Sequence, residues 1–334
     1  MKIISQFTLS ILIALMTTAC DSQKPFRTVQ GMVWNTMYHI TYASNVSLDD
    51  SIQAVMKQVD NSLSVFNDSS LVSLINRTDS IPVDSLFKRV FLESQAINRI
   101  SSGAFDPTVG PLIELWGFGK NKKVDHTPSQ QEIDSVMESV GIDRCAIEEG
   151  RIIKKSPSTK FNFSAIAKGY GCDMIGDMMR RNGVKNYMIE IGGEIALSGK
   201  SPHGGSWRIM VDAPIQNNDS VVHEQMAIIE VDSCGIATSG NYRNYHVIDG
   251  TAMGHSIDPF NGRPAITTIL SATVIAPQCL TADALATACM IMPLDSAMAM
   301  IEKTPGAAAL FVTATHNSEW GLHTTSRFPT LLNN

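Results

Sequence analysis

Apolar residues recur at helical spacing through the first half of the chain. After Asp49, residues Ile52, Val55, Met56, Val59, Leu63 and Phe66 recur at helical spacing, one stripe of a 3.6-residue repeat. Asp84 stands as the N-cap of a second helix, with Leu86, Val90, Ile97 and Ile100 on its inward side. A third helix is predicted from Thr127, with Pro128 at its first position and Gln130 completing a capping box, as far as Gly141. A fourth covers about 165–182 and stops at Gly183. Ahead of all four, 33–42 reads as a strand. Past Gly183 the period changes: 187–191, 207–212, 227–232 and 270–276 read as strands between Gly, Asn and Pro turns. Helices at about 281–292 and after Pro293 precede a last strand at 308–313. A helix-rich first half and a strand-rich second half predict an α+β fold, or α/β with mixed sheets. No Pro/Ser-rich linker divides the halves, so one interlocked domain is expected.

The first twenty residues follow another logic. Lys2 is the only charge before Asp21, and 7–16 (FTLSILIALM) is a ten-residue apolar run. As a helix it rises ~15 Å, half of a ~30 Å hydrocarbon core. Basic start, short apolar run and small residues make a secretory signal. The run closes on Thr17-Thr18-Ala19-Cys20, which resembles the lipobox of bacterial lipoproteins, with Leu15 one place further from the cysteine than in a strict one. That resemblance implies a signal peptide at 1–19, acylation of Cys20 and a polar tether at 20–28 ahead of a catalytic domain at 29–334. The expected location is the bacterial cell envelope, lipid-anchored at the periplasmic face of the inner membrane, since Asp21 resembles a retention signal there. An uncleaved anchor is the other reading of the same run.

Composition narrows the function classes. Of 334 residues, 44% are hydrophobic and 17% charged, and 26 Lys+Arg against 32 Asp+Glu give a net charge of −6. An acidic balance argues against a nucleic-acid groove, and so apolar a chain against disorder. Beyond Cys20 there are Cys145, Cys172, Cys234, Cys279 and Cys289, an odd number without C-x-x-C spacing. Neither a disulfide framework nor a zinc site fits; buried free thiols are expected.

Four segments hold more glycine and polar residues than packing requires. Residues 101–119 (SSGAFDPTVGPLIELWGFG) read as a structured loop, not a helix, in which Asp106 either meets a ligand or the whole forms a rigid turn around Phe105, Trp116 and Phe118. Residues 162–169 (NFSAIAKG) place Lys168 at a helix start, suited to a phosphate or simply solvated. Residues 234–264 form a polar, glycine-rich stretch, a binding loop or a surface meander. In TADALAT, Asp283 and Thr287 are i and i+4 on one helix face. As hard oxygen donors they suit Mg²⁺; alternatively Asp283 caps the helix and Thr287 bonds back to a carbonyl.

Together these segments shift the balance. AFDPTVGPLIELWGFG, NFSAIAKGY, IEIGGEIALSGK, GIATSGNYRNY, HSIDPFNGRP and ADALATA occur in the order and approximate spacing of the ApbE-like FAD:protein FMN transferases. The resemblance implies a single interlocked domain of that type and a metal-dependent transfer of FMN from FAD to a Ser/Thr hydroxyl of an acceptor flavoprotein, releasing AMP. It implies Asp283, Thr287 and the Ala165 carbonyl as metal ligands, with Mg²⁺ as the cation and FAD as substrate. FAD contacts would come from Ala104, Phe105, Asp106, Asn162, Lys168 and Ile257, with Trp34 and Phe66 set against the dinucleotide. His255 is the candidate general base, because imidazole is a base near neutral pH. The acceptor class the family implies is membrane redox-pump subunits bearing a Ser/Thr flavinylation motif.

Two departures stand out. The family's early Met-Gly-Thr is Trp34-Asn35-Thr36 here, and Asn162 stands where Asp is common. Two other functions fit the same segments: an FAD pyrophosphatase releasing FMN and AMP, disfavoured by a bulky Phe66, and a flavin- or solute-binding lipoprotein without turnover.

Overall fold

Two strands stand where one was predicted at 33–42. In the computed structural model, β1 (Phe26–Val33) and β2 (Thr36–Ala43) pair antiparallel down to Val33 opposite Thr36. Trp34 and Asn35 turn the chain with φ of 48° and 61°, the paired positive φ of a tight two-residue hairpin. β1 starts at Phe26, inside the stretch expected as tether. The structure describes residues 24–78, 81–120, 127–215, 224–240, 245–248, 251–315 and 320–332. The signal segment and Cys20 lie outside the described residues.

Helices α1 (Asp49–Leu63), α2 (Leu71–Ile75) and α3 (Ser85–Ile100) follow. The α1 stripe is buried as expected up to Leu63, but the helix ends there, and Phe66 lies in the turn beyond, 52% exposed. Asp84 caps α3, its Oδ1 accepting from Phe87 N at 2.7 Å; Ile100 is exposed, not inward. The 101–119 segment holds a short helix, α4 (Gly110–Leu115), because Pro111 sits in its first turn, where no N–H is needed. The capping box lies two residues later than predicted. Ser129 caps α5 (Gln130–Met137) and Glu132 returns the bond, since a carboxylate accepts more strongly than an amide and favours the helix N-terminus. Gly141 does not end this helix; with φ 136° it enters the 3₁₀ turn Ile142–Arg144.

Next come β3 (Cys145–Glu148), β4 (Arg151–Lys154), α6 (Ala167–Arg181), β5 (Tyr187–Ile191), β6 (Glu194–Ser198), β7 (Trp207–Asp212), β8 (Gln225–Val231) and β9 (Cys234–Gly240). The chain continues through β10 (Tyr245–Ile248), β11 (Thr251–Gly254), β12 (Ile269–Ala276), α7 (Cys279–Cys289), α8 (Leu294–Lys303), β13 (Ala308–Ala314) and β14 (Trp320–Thr324). An eight-stranded antiparallel sheet in the order β1-β2-β5-β6-β9-β12-β13-β14 organises the molecule. The mixed α/β expectation holds.

Helices α1 and α6 cover β2 and β5 through Ile52, Met56, Ile175 and Met179 on Ile40 and Ile189. Helices α3, α7 and α8 cover β12 and β13. The β7–β8 hairpin packs Trp207 and Ile229 onto Leu197, Ile236 and Ile275 of the central strands β6, β9 and β12. Alanine at 282, 284, 286 and 288 lets α7 sit wholly inside this core. No described helix is long and apolar enough to cross a membrane. The five described cysteines are free, Cys234 part-buried and the others buried, as expected.

Candidate active site

The crossing of α6 and α7 builds the site. Gly169, in the first turn of α6, lies so close to α7 that a Cβ there would meet Asp283 Cβ at 2.8 Å and also strike the Cys279 carbonyl. From that distance its N–H donates to Asp283 Oδ2 at 3.0 Å. As a first-turn N–H of α6 it has no partner within its own helix, and Asp283 satisfies it from α7. The Ala165 carbonyl, just before the helix, accepts no hydrogen bond among the described residues.

Asp173, one turn further along α6, accepts from Cys279 N at 3.0 Å and Leu280 N at 2.8 Å. The N-terminus of α7 has no side-chain cap of its own at Gln278; Asp173 supplies one from the neighbouring helix. Burial pushes its carboxyl up to about 6 despite these two bonds.

Lys168 meets Glu194, the first residue of β6, at 2.5 Å. Burial pulls the ammonium down, but the charges of Glu194 and Asp283 reverse this and hold it above its usual range. Burial raises Glu194 to about 8, opposed by Lys168 and reinforced by Asp283. Burial likewise raises Asp283, against Lys168 and the Gly169 N–H. One cation therefore serves two buried carboxylates. Thr287, a turn beyond Asp283, faces Ser239 of β9 with Oγ1–Oγ at 3.4 Å.

This donor set fits a hard divalent cation. Among the described residues no three His, Cys, Asp or Glu side chains cluster, which leaves no soft or all-carboxylate metal site. What the helix crossing offers is one buried carboxylate with an oxygen that accepts no hydrogen bond among the described residues, a hydroxyl on the same helix face, and, just before α6, a backbone carbonyl that accepts none either. Hard oxygens in such a mixed set leave positions for water and phosphate.

The remaining predicted residues divide into groups. Trp34 leans on α6, where a Cβ at Gly171 would meet its Cζ3 at 2.9 Å, so its indole is bound up in packing next to the site. Ala104 and Phe105 are buried. Asp106 uses both oxygens internally: Oδ1 accepts from Thr108 N and Oγ1 at 2.8 and 2.6 Å, Oδ2 from Ile142 N at 3.0 Å. Its carboxylate organises the loop. Asn162 N donates to Pro107 O at 2.7 Å, tying that loop to the approach of α6. His255, just after β11, is exposed. Ile257 is buried with Leu112 and Trp116, whose Nε1 donates to Gly262 O at 2.8 Å and anchors the turn that follows.

A cleft of about 420 Å³ opens between Asn98, Gly103, Asp106, Arg144 and Phe260. It joins the 101–119 and 255–264 segments, and neither Lys168 nor Asp283 lines it. Sequence reasoning missed Glu194, Asp173 and Ser239. For Glu194 the signal is structural: it pairs with buried Ile191 and shares a strand face with buried Ala196.

Relatives share this architecture. A FAD:protein FMN transferase of Vibrio cholerae is 36% identical over 297 residues, covering 86% of this chain and 88% of its own length. One of Haemophilus influenzae is 31% identical over 327 residues, covering 93% and 94%. Among solved structures, the flavin transferase ApbE of Vibrio cholerae superposes with a TM-score of 0.81 at 33% identity, over 90% of this chain and 97% of that one. The flavinyl transferase ApbE of Pseudomonas stutzeri gives 0.82 at 30% identity, over 91% and 96%. The ApbE family model matches residues 34–311, and the chain belongs to the ApbE family.

Proposed function

We infer that this chain transfers FMN from FAD to a Ser or Thr hydroxyl of an acceptor protein. The observation that carries the reading is the α6–α7 crossing, where a hydrogen bond from Gly169 orients Asp283 and the Ala165 carbonyl, just before α6, accepts no hydrogen bond among the described residues. Asp283, Thr287 and Ala165 would hold Mg²⁺, which supplies charge neutralisation at the pyrophosphate. Lys168, fixed on Glu194, offsets the remaining phosphate charge. The acceptor oxygen forms a bond to the FMN phosphorus, the bond from that phosphorus to AMP oxygen breaks, and the hydroxyl proton passes to His255. Exposure of His255 suits a base whose partner hydroxyl arrives on another protein. Ile257, held by Trp116 and Leu112, steadies the segment that carries it.

Acylated Cys20 would keep the domain at the periplasmic face of the inner membrane, beside membrane redox-pump subunits as acceptors. Phe66, exposed beyond α1, would lie against the dinucleotide and leave little room for a hydrolytic water. The test is incubation with FAD, Mg²⁺ and a candidate acceptor, read by intact mass. The acceptor should gain one FMN. Asp283→Asn, which keeps the side-chain shape, should lower the rate by about 10²-fold or more. AMP released as fast without acceptor as with it would identify a pyrophosphatase instead.

A further inference from the structure

Glu194 places a carboxylate where the sheet presents an apolar face to α6. Its cross-strand neighbour Ile191 is fully buried, and Glu194 is itself only 4% exposed. Its position is set from the backbone: Gly192 and Gly193 take φ of 63° and 98° in the turn before it, Gly193 N donates to Glu190 Oε1 at 2.7 Å, and the Cys172 thiol donates to the Glu194 carbonyl at 3.4 Å. Oε1 meets Lys168, while Oε2 is buried with no hydrogen-bond partner. A buried ion pair with a bare oxygen adds little or nothing to stability compared with apolar packing. Its worth must lie elsewhere.

Lys168 has two anions near it. Its chain neighbour Gly169 bonds Asp283, yet the ammonium itself contacts Glu194. An ammonium seated on Asp283 would compete with a dication for the same carboxylate. We propose that Glu194 is a positioning residue that holds Lys168 away from Asp283 and so keeps the Asp283 carboxylate available to a divalent cation. The inference rests on the metal-dependent reading above and deepens it. Seated on Glu194, Lys168 stays close enough to face a bound phosphate without neutralising the metal ligand. Without that pair, Asp283 becomes the nearest carboxylate to Lys168, and cation binding must first break the contact between them.

The test is Mn²⁺ binding to the otherwise unmodified domain, followed by electron paramagnetic resonance of the free ion, without FAD and without turnover. Glu194→Gln keeps the shape and removes the ion pair with Lys168, and it should weaken Mn²⁺ binding about tenfold, more than the stability lost by leaving Lys168 unpaired explains. Adding Lys168→Met removes the competitor, so the double variant should return to within about twofold of the unmodified protein. A merely structural Glu194 would not be rescued by losing Lys168. Unchanged Mn²⁺ affinity in Glu194→Gln, or a double variant as weak as the single one, would overturn the proposal. Should Glu194→Gln fail to fold, Lys168→Met alone decides: binding at least as tight as in the unmodified protein is expected, and weaker binding overturns it. If the unmodified protein binds no Mn²⁺, the metal site itself falls, a result distinct from a normal site that ignores Glu194.

Discussion

Gly169 and Asp283, 114 positions apart in the chain, are joined by a 3.0 Å hydrogen bond across the α6–α7 crossing. The bond exists because glycine lets α6 approach α7 to backbone contact. Gly169→Ala would drive a methyl into the Cys279 carbonyl and to 2.8 Å from Asp283 Cβ. Overpacking of this kind costs about 1–3 kcal/mol. Urea denaturation should show that loss. Mn²⁺ binding should fall more than the stability loss alone explains, since the aim of Asp283 depends on the spacing. A Gly169→Ala protein with normal cation affinity would mean the crossing does not set the site.

Asp173 predicts a pH dependence of stability. Its carboxyl is raised by burial from its ordinary 3.8 to about 6 in the fold. The folded state therefore holds this proton more tightly than the unfolded chain. The contribution is fully present below about 3.8 and is lost as pH rises through about 6. Asp173→Asn removes that titration but retains one acceptor for the α7 N-terminus. The stability of the unmodified protein minus that of the variant should fall by on the order of 1 kcal/mol between pH 4 and 7, a figure discounted because the side chain is partly exposed. Melting curves across that range check it; a flat or rising difference would show that Asp173 is not raised.

Trp116 ties the 255–264 segment to α4 and α5. Its indole is 1% exposed and its Nε1 donates to Gly262 O at 2.8 Å. Trp116→Phe keeps an aromatic ring but strands that carbonyl, at a cost of about 1–3 kcal/mol. Because Ile257 packs in the same cluster, two residues from His255, turnover should fall while Mn²⁺ binding at Asp283 is unchanged. Steady-state kinetics beside metal titration separates the two. Equal loss of both would place the effect in global stability.

The helices of the first half were legible because their signals are local. The α1 stripe to Leu63 and the Asp84 cap each lie within a few residues of what they control. So does the capping motif of α5, although Ser129-Glu132 outcompeted Thr127-Gln130 two residues earlier. Asp283 and Thr287 share a helix face by spacing alone, and the ordered motifs pointed to the family the comparisons show. The turn at Trp34-Asn35 was not legible, since two non-glycine residues with positive φ leave no compositional mark.

Tertiary structure alone decided how the charges are shared. Lys168 could be read as a solvated residue of a first turn until β6 brought Glu194 against it. Asp106 could be read as a ligand contact or as part of a rigid turn, and the fold shows its carboxylate tied to Thr108 and Ile142. Asp173 carried no motif, yet it caps a helix that begins over a hundred positions later, 106 residues on at Cys279. In each case a buried polar atom must find a partner or lose its solvation uncompensated. The sequence determines that such a group exists; which partner reaches it depends on distant segments meeting, and only packing settles that.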